Sequence, residues 1–118
     1  EQNLASRRQV EAWYDDACPP EWRMPRRESV WCYDVRIPGL TAERQTDIVR
    51  ALNAAGVAAR HGFYPMHQQE EFKDCRVIGG EVAEMMSREV IYLPADPDAV
   101  TQERAETAFR VVRALLGK

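Results

Sequence analysis

The chain has 118 residues, a net charge of −3 at pH 7 and an ordinary share of charged side chains, 30%. That length suits one domain with one core, which buries roughly two thirds of the surface its unfolded form exposes. The charge offers no general attraction to nucleic acid or anionic lipid, and no apolar run reaches the about eighteen residues of a spanning helix; with the polar stretch Glu1 to Val10 carrying no apolar leader core, a cytoplasmic protein is expected.

Along the chain, Val10, Trp13, Tyr14 and Ala17 recur at helical spacing and predict an amphipathic helix over residues 3–17. The prolines of the run Cys18 to Arg27 forbid its continuation and predict a loop. Residues 29–37 are rich in β-branched and aromatic side chains, and their alternation predicts a strand with Trp31, Tyr33, Val35 and Ile37 on the core face. Pro38-Gly39 ends it. Thr41 is placed to cap a helix buried through Ile48, Leu52 and Ala55 and stopped by Gly56, after which residues 57–60 read as a short second strand.

The next stretch, His61-Gly-Phe-Tyr-Pro-Met-His67, holds both histidines of the chain around a turn glycine and a proline. Beyond it, Gly80 precedes a short helix over residues 81–89 with Val82, Met85 and Met86 as its apolar positions. Val90 to Leu93 predicts a third strand cut off by Pro94, and Asp96 to Thr101 supplies turn and cap for a last helix. Ala105, Ala108, Phe109, Val112 and Leu116 mark the buried face of that helix, and Gly117 follows it. Three strands with helices between and outside them predict a two-layer α+β domain, helices packed on one face of a small sheet.

Several chemistries find little footing. Cys18, Cys32 and Cys75 are odd in number and far apart, which suits free thiols rather than a disulfide framework or a zinc site. A metal held by His61 and His67 would need Cys75 or Glu70 folded back toward them, and no local pattern selects a cysteine nucleophile. Arg23, Arg26 and Arg27 beside Trp22 could clamp a phosphate and stack a base, or simply form a solvated loop. His67 stands apart, because the proline two positions before it partly fixes the backbone that aims the imidazole.

Taken in order, a set of short pieces resembles the C-terminal small domain of the DegT/StrS family, the fold-type I sugar-nucleotide aminotransferases that use pyridoxal 5′-phosphate. The pieces are Arg7-Arg8 with Tyr14, Trp31-Cys-Tyr-Asp-Val-Arg36, Arg50-Ala-Leu-Asn-Ala-Ala-Gly-Val57, Arg60-His-Gly-Phe-Tyr-Pro-Met-His67, Glu81-Val-Ala-Glu84 with Ser87, and Leu93-Pro94. The last three are similar to the family's Arg-x-x-[Phe/Tyr]-x-Pro-[Met/Leu]-His, Pro-x-Ala-Glu and Leu-Pro patterns. The chain departs from them at Gln69-Glu70, where Gln-Pro is usual after the histidine, and at Glu81, where a proline is usual.

The resemblance implies a small, mainly antiparallel three-stranded sheet flanked by helices, and a Pro-Met-His loop that approaches an active site. It makes His67 and Tyr64 substrate-facing, with Met66 and Pro65 shaping the loop and Arg60 either facing substrate or paired structurally. The complete family enzyme moves an amino group from glutamate to a nucleotide-linked keto sugar. That chemistry needs a buried lysine of lowered pKa to bind the cofactor. Of 16 basic residues only Lys73 and Lys118 are lysines, one in a polar loop and one at the last position. The expectation is therefore a chain with no cofactor site or catalytic residue of its own, paired with a missing large domain or with a second copy in a homodimer. A small module binding sugar nucleotide is the further alternative.

Overall fold

The computed structural model describes residues 2–117, so the expectation for Lys118 lies outside the described residues. Helix α1 (Gln2–Ala17) is followed by a single 3₁₀ turn, strand β1 (Cys32–Arg36) and helix α2 (Ala42–Ala54). A two-residue strand β2 (Arg60–His61) leads through two further 3₁₀ turns to helix α3 (Glu81–Glu89), strand β3 (Val90–Pro94) and helix α4 (Gln102–Leu116). The sheet is antiparallel throughout with β3 in the middle, in the order β1-β3-β2. This is the α+β, two-layer arrangement expected from the sequence.

Pleating divides the sheet into two unlike faces. Tyr33 and Val35 of β1 lie opposite Leu93 and Ile91 of β3, and all four are buried in the core with Val10, Leu52, Ala105 and Phe109 of the helices. α1 packs on α4 and α4 on α2 to complete that layer. The rings set the register: Tyr14 stacks on Tyr33 with centroids 4.7 Å apart, meets Phe109 edge-on, and donates from its hydroxyl to the Pro94 carbonyl at 2.7 Å. The Tyr33 hydroxyl in turn donates to Asp15 Oδ1 at 2.6 Å.

The helix ends follow their local chemistry. Thr41 and Thr101 accept from the backbone N–H groups of Arg44 and Arg104, both at 3.2 Å, and α4 ends on Gly117 in the left-handed conformation.

Four sequence expectations need correction. Trp31 is 58% exposed rather than core, because the chain bends there and the strand begins at Cys32, so Val30 turns inward instead. The second strand is not 57–60 but Arg60–His61. Gly56 turns the chain back so that Val57 N–H donates to the Leu52 carbonyl at 2.9 Å, while the Asn53 amide holds the Ala59 carbonyl at 3.0 Å. These residues wrap the end of α2 and leave few backbone groups for pairing. Ala55 and Val82 are exposed for the same kind of reason, each lying at a helix terminus turned to solvent.

Polar groups hold the join between α3 and β3. Glu89 is buried, accepting from Gly39 N–H at 2.8 Å and from Arg36 Nε at 2.7 Å. The Gly39 N–H, then Arg36, keep its carboxyl below the ordinary carboxylate range. Stability from this depression is present above the unfolded-state pKa of about 4.3 and is lost as pH falls through the lower folded value. Glu89→Gln should cost about 1.5–3 kcal/mol at neutral pH and make urea-unfolding midpoints less sensitive to acidification than those of the parent chain.

Candidate functional site

The loop between β2 and α3 is anchored where it leaves the sheet. Gly62 N–H donates to the Val90 carbonyl at 3.0 Å. A Cβ at Gly62 would come within 2.8 Å of the Ser87 carbonyl oxygen, 3.1 Å of that of Val90 and 3.2 Å of that of Met86, so glycine is required for this approach to the end of α3. Pro65 is buried and opens the 3₁₀ turn Met66–Gln68. That turn carries His67 inward. Its neighbours point out: Phe63, Tyr64 and Met66 are 66%, 60% and 60% exposed.

His67 meets α3. Its Nε2 lies 2.8 Å from Glu84 Oε1, and the hydrogen bond from His67 is the largest influence holding the Glu84 carboxyl below the usual range. On the other side sits Gly80, in the left-handed region at φ 110, where a Cβ would stand 3.2 Å from both Cε1 and Nε2 of the ring. His61 is placed differently, its Nε2 3.2 Å from Thr46 Oγ1 on α2. The two histidines therefore meet different helices, His61 α2 and His67 α3. Among the described residues no group of three or more histidine, cysteine or acidic side chains is placed to hold a metal.

Beside the loop, the face of the sheet away from the helices carries an aromatic shelf. Phe63 and Tyr92 have centroids 4.8 Å apart, and Trp31 lies 6.1 Å from each. Arg60 is the cross-strand partner of Tyr92, and its guanidinium has no hydrogen bond or ion pair among the described residues. Trp31, Cys32, Arg60, Phe63, Tyr92 and Pro94 line an open cavity of about 460 Å³ there. A free cation beside exposed rings can take an anion and a flat apolar group together.

The arginine cluster resolves as architecture. Arg23 donates to the Asp15 and Cys18 carbonyls at 2.5 and 3.1 Å, Arg26 Nε lies 3.7 Å from Glu11, and Arg27 pairs with the buried Asp34 at 2.6 Å. Trp22 is only 2% exposed, which removes it as a base-stacking surface. The cluster ties the loop before β1 to α1. The three cysteines are free, with Cys18 buried and its thiol pushed up to about 11 by burial. Lys73 is ion-paired with Glu70 at 2.6 Å, and its side chain is 62% exposed. An exposed, ion-paired lysine does not fit the role of a buried cofactor-binding amine.

No protein-family model matches the chain, and no curated protein does. Solved structures do match. PseC of Helicobacter pylori, an aminotransferase involved in the biosynthesis of pseudoaminic acid, shares 16% identity over 97% of this chain and 33% of its own, with TM-score 0.78. A DegT DnrJ EryC1 StrS aminotransferase from Brucella abortus shares 21% over 100% of this chain and 32% of its own, with TM-score 0.76. The PLP form of Spr1654 from Streptococcus pneumoniae, provisionally named a sugar aminotransferase, shares 19% over 97% of this chain and 32% of its own, with TM-score 0.81. The chain thus has the fold of one part of these enzymes and spans about a third of their length.

The anchoring of the loop is open to direct test. Gly62→Ala should destabilise the chain by about 1–3 kcal/mol through the contacts with three carbonyl oxygens, and urea unfolding measures that loss. Hydrogen exchange should show the added opening concentrated in the β2–α3 loop and the last turn of α3.

Proposed function

We propose that this chain is the small domain of a pyridoxal-phosphate-dependent sugar-nucleotide aminotransferase, acting in amino transfer from glutamate to a nucleotide-linked keto sugar and requiring a cofactor-bearing large domain. One observation carries the reading: the match with sugar aminotransferases runs over nearly all of this chain and only a third of theirs. The surface agrees with it. Trp31, Phe63, Tyr64, Met66, Ile78 and Val82 are each more than half exposed, and exposed large apolar side chains, where they are contiguous, mark contact surfaces. A large domain seated on the loop side of the sheet would cover them.

In this reading His67, Tyr64 and Met66 form the wall that this chain contributes to the substrate site, and Arg60 supplies a cation for the anionic part of the substrate. The cofactor is held elsewhere, because Lys73 is solvated and paired with Glu70. No step of the cofactor's chemistry is therefore assigned to residues of this chain.

Titration of the labelled chain with UDP-N-acetylglucosamine, followed by nuclear magnetic resonance, tests the substrate wall. The His67 and Tyr64 ring signals should shift, and Arg60→Ala should weaken the effect about tenfold, the loss of one charge-assisted hydrogen bond. Unchanged ring signals at millimolar ligand would overturn the assignment of the wall. Mixing the chain with pyridoxal phosphate tests the other half: a stable lysine-adduct absorbance band abolished by Lys73→Ala would show that the cofactor does bind here.

A further inference from the structure

We infer that Glu84 is a positioning residue for His67: it accepts the hydrogen bond from Nε2–H, fixes the tautomer and plane of the imidazole, and leaves the Nδ1 lone pair as the atom this histidine offers a ligand. That a ligand stands at Nδ1 rests on the substrate wall proposed above, whereas the positioning rests on geometry alone.

The bond is 2.8 Å long and ties the 3₁₀ turn of the β2–α3 loop to α3. His67 makes no other side-chain hydrogen bond among the described residues. An ionised carboxylate can only accept, so the nitrogen facing it must carry the proton. The bond from His67 holds the Glu84 carboxyl below its usual range, against an opposing effect of desolvation, and Gln68 and Arg88 favour the charged form as well. With Nε2 protonated, a neutral imidazole has its lone pair on Nδ1 and accepts there.

Two further features hold the ring in that plane. A Cβ at Gly80 would crowd Cε1 and Nε2 at 3.2 Å, and the Gly80 carbonyl accepts from Glu84 N–H at 3.0 Å in the first turn of α3. Ring and carboxylate are therefore referred to the same helix end. On its own side the ring is carried by the 3₁₀ turn behind the buried Pro65. An acceptor held this way suits a ligand hydroxyl or N–H, and it disfavours a carbonyl or carboxylate at the same point. The logic is that of the outer-sphere carboxylates that orient metal-bound histidines, applied here to an organic ligand.

The test needs no ligand and no large domain, so it can fail without touching the functional reading, and that reading can fail without touching it. Long-range proton–nitrogen correlation spectra of the ¹⁵N-labelled chain, recorded at mildly alkaline pH, report the tautomer of each histidine. His67 should show a single Nε2–H form with an unprotonated Nδ1. Glu84→Ala should convert it to a rapidly averaging mixture of tautomers, and Gly80→Ala should broaden or shift the same ring signals. His61, bonded to Thr46, is the internal control and should remain unchanged, which also reports that the variants are folded. A His67 protonated on Nδ1 in the parent chain, or a His67 spectrum unaltered by Glu84→Ala, would overturn the inference.

Discussion

The structure turns on a junction with no linker. Glu89 is the last residue of α3 and Val90 the first of β3, so the helix must end and the central strand begin without a turn to absorb its open carbonyls. They are taken up from outside. Gln45 Nε2 on α2 donates to the Ser87 and Val90 carbonyls, both at 2.7 Å, Gly62 N–H donates to Val90 as well, and Val90 N–H closes back on the Met86 carbonyl. Glu89, facing the other way, gathers Arg36 and Gly39. One short stretch therefore fixes α2, β1 and the entry to the β2–α3 loop at once, and replacing Gln45 would remove the side-chain donor that the Ser87 and Val90 carbonyls share.

From that junction the two faces of the sheet acquire different duties. The helix-covered face is closed by apolar packing and by a few long-range polar ties, chiefly those of Tyr14, Asp15 and the arginines of the loop before β1. The opposite face keeps Trp31, Phe63 and Tyr92 in contact with each other, and Arg60 has no hydrogen-bond or ion-pair partner among the described residues. Such a surface is costly to leave in water. It accords with the fold match to larger enzymes, in which this part is one third of the chain.

Much of this was legible in the sequence where local chemistry decides the outcome. The threonine caps, Gly56, the start of α3 after Gly80 and the stop at Gly117 are written in residues adjacent to the feature they set. Failures came where a distant partner decides. Trp31 follows the alternation of the strand yet lies beyond a bend that no neighbouring residue announces. His67 and Glu84 were each recognisable as motif residues, but their contact depends on the fold of the sixteen residues between them. Gln45 was missed although a signal existed: with Ile48, Val49 and Leu52 it completes the buried stripe of α2, and a polar residue in such a stripe needs a buried partner.

The attachment of α1 bears on the order of assembly. Tyr14 fastens to Pro94 across 80 residues, and Arg113 reaches the Ala17 carbonyl across 96. Helix α1 thus has its seat built from β3 and α4, which follow it far along the chain. During synthesis it stays uncovered at Val10 and Tyr14 until β3 and α4 have followed it. During that interval the apolar stripe of α1 is open to a chaperone or to any neighbouring segment able to shield it.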